Sequence, residues 1–129
     1  VASYIAQVWI QNRYGQNAGA VVGAFILNLP QVPERDALWR YLSYAFLHGG
    51  IVHIAFNSWS LFDLGRLYES RRNWGSLLAS FVIGAIMGAY FTVIVQGQEQ
   101  LVLVGASGGV LGVAGSLLAD SWRGRSIQD

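Results

Sequence analysis

Apolar stretches separated by short polar breaks divide this chain. Val1 to Ile10 is apolar but short. A membrane span needs about 20 residues, so this stretch reads as the end of a helix. Gln11 to Gln16 is polar. Ala18 to Leu29 is apolar for 12 residues and stops before Pro30 and Pro33. Its length suits an interfacial or re-entrant segment, the alternative being a second, partly built span. Glu34 to Arg40 is charged, and Trp39 and Tyr41 stand where interfacial aromatics do. Tyr41 to Phe62 carries no formal charge, and Gly49-Gly50 interrupts it. A helix is therefore predicted from about Ile51 to about Glu69. Gly75 to Val95 is uncharged for 21 residues and is the cleanest span. Gln96 to Gln100 is a polar loop. Leu101 to Ala119 is apolar again, with a last helix expected from about Ser107, and Asp120 to Asp129 is a polar exit.

This pattern predicts an all-α fold, a polytopic transmembrane helix bundle forming one membrane domain over residues 1–129. Residues 1–10 would end a first span and 11–40 form an outer loop with the interfacial segment. Spans would follow at 50–69, 75–96 and 105–122. Composition points the same way. Apolar residues make up 53% and charged residues 12%, with no lysine, against about a quarter charged in a soluble domain. Sixteen glycines in so apolar a chain suggest close helix contacts. A net charge of +1 without a basic run gives no support for nucleic acid as a partner. The absence of cysteine excludes disulfides and thiolate metal sites. The chain opens at Val1 in apolar sequence without signal-peptide features, as though part-way through a span. Arg66, Arg71 and Arg72 lie between two expected spans, and Arg123 and Arg125 follow the last. An even number of crossings puts both clusters on one side, which the positive-inside rule makes cytoplasmic. The loops at Glu34–Arg40 and Gln96–Gln100 then face outward, and Ser107 lies near the outer face.

Candidate chemistry centres on Gly105-Ala106-Ser107-Gly108-Gly109. Ser107 is either a nucleophile or a small residue at a tight helix contact. Gly105-xxx-Gly109, Gly108-xxx-Gly112 and Gly84-xxx-Gly88 are spacings that let helices touch. Glycines also let backbone N–H groups approach a reacting centre at a helix start. On the helix from Ile51, His53, Asn57 and Ser60 share one face. They are either interhelical hydrogen-bond partners or donors to a developing oxyanion. The second role requires Ser107 opposite them. Asp63 is a carboxylate in the same helix, with Arg66 within helical reach.

In order, these motifs resemble the rhomboid family of intramembrane serine proteases. Trp39-Arg40 resembles the family's Trp-Arg pair. His48-Gly-Gly-Ile-Val-His53-Ile-Ala-Phe-Asn57 resembles its second-span motif. Gly65-Arg-Leu-Tyr-Glu69 resembles its Gly-xxx-Glu, and Gly105-Ala-Ser107-Gly108 its nucleophile motif. The resemblance covers about residues 35 to 122. It implies a rhomboid-like bundle with Ser107 as nucleophile. His53 and Asn57 would form the oxyanion hole with the Ser107 backbone N–H. His48, Arg40, Glu69, Gly105 and Gly108 would be structural. It implies no metal or cofactor, and as partners the lipid bilayer and single-span membrane proteins cut near the outer face.

One departure bears on the chemistry. The family's dyad histidine lies on a sixth span, after the serine. Both histidines here precede Ser107, and an unactivated serine is a poor nucleophile. The sequence is then expected to be part of a longer protease. The alternative is a non-catalytic rhomboid-like protein that binds transmembrane helices or serves as a subunit of a membrane complex. A channel or transporter subunit rests on Asp63 alone and lacks the paired half-helices of such proteins.

Overall fold

The structure, a computed structural model, describes residues 1–15, 27–28, 39–96 and 102–126. Helix α1 runs over Ala2–Tyr14. It continues past Ile10 through exposed Gln11, Asn12 and Arg13 and stops at Gly15, where φ is 53°. Hydropathy marks where a helix leaves an apolar layer. It does not mark where the helix ends, and polar residues such as Gln and Arg are good helix formers.

The next elements are short. Strand β1 (Leu27–Asn28) pairs antiparallel with β2 (Val102–Leu103), in the register Leu27↔Leu103 and Asn28↔Val102. This ribbon, two residues per strand, is a small addition to an otherwise helical architecture. Val102 and Leu103 read as the beginning of an apolar span, but backbone polar groups outside a helix must still find partners. Most of Ala18–Leu29, both prolines, and the loop at 97–100 lie outside the described residues. Helix α2 (Arg40–Ser43) passes directly into a 3₁₀ turn at Tyr44–Phe46.

Three long helices make the body: α3 (Ile51–Glu69), α4 (Trp74–Gln96) and α5 (Ser107–Ser126). Helix α4 is the one described helix long and apolar enough by itself to cross a membrane, over Trp74–Val95. Those 22 residues span about 33 Å at the helical rise. Helix α3 carries His53, Asn57, Asp63 and Arg66, and α5 carries Asp120 and Arg123, which dilute their apolar character.

Over residues 83–94 of α4 the packing is inverted relative to a water-soluble core. On α4 the inward positions are Gly84, Ala85, Gly88 and Ala89, the two alanines being fully buried, while Ile83, Met87, Phe91 and Ile94 are exposed. In a soluble fold the large apolar side chains go inside. Here small residues face the neighbouring helix and large ones face out, which is how membrane helices pack. A Cβ at Gly84 would lie 2.6 Å from the Gly112 Cα and 2.7 Å from the Gly108 carbonyl oxygen. A Cβ at Gly112 would strike the Ser80 carbonyl, and one at Gly109 the Phe81 ring.

At the far end from Ser107, Tyr68 is 1% exposed and packs with Phe81, Val110, Val113 and Leu117. Its hydroxyl meets the Ser80 hydroxyl (2.9 Å), the Ser116 hydroxyl (3.2 Å) and the Ser76 carbonyl (3.2 Å), joining α3, α4 and α5. Beside it Arg72 makes a two-pronged ion pair with Asp120, Nε to Oδ2 at 2.7 Å and Nη2 to Oδ1 at 2.6 Å. This pair fastens the α3–α4 turn to the last part of α5.

The glycine crossing gives a graded expectation. Gly112→Ala should lower stability by about 1–3 kcal/mol, because its methyl has no room between two backbones. Gly115→Ala, with nothing within 4 Å, should be neutral or slightly stabilising, since alanine is the better helix former. Unfolding midpoints in detergent measure both, and equal midpoints would contradict the backbone contact.

Candidate functional site

The site is built around the turn that opens α5. Leaving β2, the chain reaches Gly105 at φ 111°, a region glycine enters without a Cβ penalty. The Gly105 N–H donates to the Tyr44 carbonyl (2.9 Å), and Val110 N–H closes the first helical turn on the Ala106 carbonyl (3.0 Å). The N–H groups ahead of Val110 are those a helix start leaves without intrahelical acceptors. They carry the positive end of the helix dipole. Ser107 is the first residue of α5 and is exposed. Gly109 and Gly112 carry the tight helix contacts, and Gly108 lies against Tyr44.

Helix α3 brings two polar side chains to this turn. The His53 ring lies on the open face of Gly105, so a Cβ there would be 2.5 Å from Cε1 and 2.7 Å from Nε2. Gly105 therefore satisfies two demands at once, a positive φ and a ring against its Cα. One helical turn on, Asn57 is 5% exposed and its Nδ2 has no hydrogen-bond partner among the described residues. Asn57, His48 and Ala106 border a cavity of about 190 Å³. Leaving a buried amide N–H unsatisfied costs about 1–3 kcal/mol, and such groups in a native fold call for an explanation.

His48 lies in the loop before α3, also 5% exposed, with its ring edge-on to His53 at 5.2 Å. Its backbone is gripped by Gln7 of α1. The Gln7 amide donates to the His48 carbonyl (3.0 Å) and its carbonyl oxygen accepts the His48 N–H (3.1 Å). Both His48 ring nitrogens are buried without partners among the described residues. Burial, and after it the neighbouring His53, hold the imidazole below the ordinary histidine range.

The remaining sequence candidates lie elsewhere. Arg40 opens α2 with its guanidinium 5.6 Å above the Trp39 ring and its buried Nε without a hydrogen-bond partner among the described residues. Glu69 is exposed at the end of α3, about 18 Å along the helix from Asn57. Ser60 does not join His53 and Asn57 at the turn. It borders an outward hollow with Phe56, Trp59 and Asp63. Asp63 makes no ion pair among the described residues, because Arg66 lies over the Phe62 ring at 5.7 Å. The sequence reading passed over Gln7 and Tyr44. Gln7 was signalled as a polar residue inside an apolar stretch, where such groups normally face a partner. Tyr44 gave no signal beyond its place in an uncharged run.

A family profile described as the Rhomboid domain matches residues 35–128. The chain belongs to the rhomboid family. Curated rhomboid relatives agree. RHOMBOID-like protein 5 of Arabidopsis thaliana is 32% identical over 99 residues, covering 77% of this chain and 31% of that protein. Rhomboid protease GlpG of Serratia proteamaculans is 38% identical over 86 residues, covering 66% and 28%. Rhomboid protease GluP of Bacillus subtilis is 32% identical over 80 residues, covering 62% and 15%. The chain thus spans less than a third of the length of each of these rhomboid relatives. No solved structure matches it. Rhomboid membership, the outward-facing apolar helices and the span in α4 together make this an integral membrane protein.

The buried His48 makes stability depend on pH. The unfolded chain takes up the proton near pH 6.5, while folded His48 takes it up only at lower pH. Stability is therefore complete above that value and falls as pH drops through it. The unfolding midpoint in detergent should decline between about pH 7.5 and about pH 5.5. His48→Phe should flatten that decline, and an unchanged slope would take His48 out of the effect.

Proposed function

We propose that this rhomboid chain belongs to an intramembrane serine protease in which Ser107 is the nucleophile. The observation that supports it most is the convergence of α3 on the α5 turn. His53 lies against Gly105, and the unpaired amide of Asn57 borders a cavity beside Ala106, next to exposed Ser107. The two relatives named as rhomboid proteases lend it weight.

In this reading the Ser107 Oγ attacks a peptide carbonyl, and negative charge develops on the carbonyl oxygen. The Ser107 backbone N–H, the His53 ring and the Asn57 Nδ2 donate to that oxygen. Preorganised donors in a site of low dielectric constant are the usual largest contribution to such catalysis. His48 orients the loop ahead of His53. The hydroxyl proton passes to a general base, which the family resemblance assigns to a histidine on a later span. No metal or cofactor is invoked.

The substrate class follows from the backbone. A carbonyl in an intact membrane helix is tied up in the helix's own hydrogen bonds. The substrates are then single-span membrane proteins with helix-breaking residues near the outer face. Residues 1–10, 50–69, 75–96 and 105–122 contribute to four spans. The Arg72–Asp120 pair holds Arg71 and Arg72 beside the end of α5 that bears Arg123. That supports both arginine clusters lying on one side, with Ser107 toward the other; the positive-inside rule makes the arginine side the cytoplasmic one.

The full-length protein in detergent should react with a serine-directed fluorophosphonate, and Ser107→Ala should abolish the reaction. Asn57→Ala should lower kcat/KM for a transmembrane substrate by about 100-fold or more, as for loss of one oxyanion donor. Labelling that persists undiminished in Ser107→Ala would remove Ser107 from the mechanism and leave the helix-binding reading in its place.

A further inference from the structure

Tyr44 touches the serine turn from both of its ends. Its backbone carbonyl accepts the Gly105 N–H at 2.9 Å. Its side chain, 3% exposed, runs into the α4–α5 crossing, where the hydroxyl donates to the Ala85 carbonyl at 2.8 Å. There the hydroxyl sits over Gly108, so that a Cβ on Gly108 would lie 2.8 Å from it. Ser107 lies in sequence between the two gripped points, Gly105 and Gly108. Gly105 at φ 111° and Gly108 without a side chain are the two residues that let one tyrosine reach both sides of the turn.

We propose that Tyr44 is a positioning residue for Ser107: it clamps the turn between Gly105 and Gly108 and thereby sets where the α5 N-terminal N–H groups and the serine hydroxyl stand. The turn has no other described tie of this kind from outside α5. The His53 ring packs against Gly105 but makes no hydrogen bond to it among the described residues. The main-chain half of the clamp fixes the entry to the turn. The hydroxyl half ties Tyr44 itself to α4, so that the 3₁₀ turn at Tyr44–Phe46 cannot drift and carry Gly105 with it. The clamp rests on these contacts alone, and its bearing on turnover rests on the protease reading above.

Tyr44→Phe keeps the ring and removes the hydroxyl bond. In the full-length protein in detergent, hydrogen exchange of the Gly105 amide, which donates to the Tyr44 carbonyl, should quicken by about fivefold or more, the equivalent of one neutral hydrogen bond. Exchange around Tyr68 at the other end should stay as in wild type. With a transmembrane peptide substrate, kcat should fall about tenfold while KM stays within about twofold, the signature of a misplaced reacting group. Gly108→Ala tests the contact from the other side. It should quicken exchange at the turn in wild type and add little in the Tyr44→Phe background, since the two changes disturb one contact. Unchanged exchange at Gly105, a uniform rise across all helices, fully additive effects, or an unchanged kcat would each overturn the proposal. Wild-type protein that fails to react with fluorophosphonate would sink the protease reading instead, and the exchange and additivity results would still decide the clamp.

Discussion

The near-contact of two backbones, α4 against α5, is the constraint on which the other features depend. Gly84 meets Gly112 and Gly108, and the Gly88 Cα faces the Gly108 Cα, with no side chain between them. Lipid gives no hydrophobic drive between helices, so close van der Waals approach through small residues must hold them. That approach fixes how α5 sits beside α4, and so places its first residue, Ser107. It also leaves just enough room for the Tyr44 hydroxyl at Gly108. A methyl at these positions would push the helices apart and shift the serine turn relative to α3.

Helix α3 is held to the same frame by different means. Its far end is tied through Tyr68 to Ser80 and Ser116. Its near end follows a loop gripped by Gln7, whose amide imitates a strand partner for the His48 backbone. His48 and Asn57 then bring buried polar atoms that find no partner among the described residues. A bundle selected only for stability would satisfy or replace them. Both lie close to the turn that opens α5.

Much of this was legible in the sequence, and for physical reasons. Helix α4 is announced by 21 uncharged residues, and α3 begins after Gly49-Gly50 at Ile51 and runs to Glu69. Four-residue glycine spacings mark a helix contact directly, because only small residues permit one. What stayed hidden depends on contacts distant in sequence. The β1–β2 ribbon joins residues 27–28 to 102–103, and no local pattern in an apolar run distinguishes two extended residues from a helix start. The grip of Tyr44 on Gly105 is main-chain chemistry, blind to side-chain pattern. Ser60 shares a helix face with His53 yet borders an outward hollow, because seven residues of rise carry it about 10 Å along the helix from His53. Arg66 chose an aromatic ring over the carboxylate three residues away, a choice spacing cannot foresee.

The two ends of the bundle are built to different standards, and the difference bears on function. At the far end, a shared hydroxyl cluster and a two-pronged ion pair lock three helices together. At the serine end the described cross-ties include a tyrosine hydroxyl, a glutamine amide, the β1–β2 ribbon and the Gly105–Tyr44 main-chain bond, around a cavity bordered by Asn57. Opening a fold locally costs least where few such ties must break. The Ser107 end is therefore the easier of the two to loosen, while the Tyr68 end keeps the helices in register. Rigidity at one end and room at the other come from the same three helices, and the glycine crossing between α4 and α5 lets both exist in so short a chain.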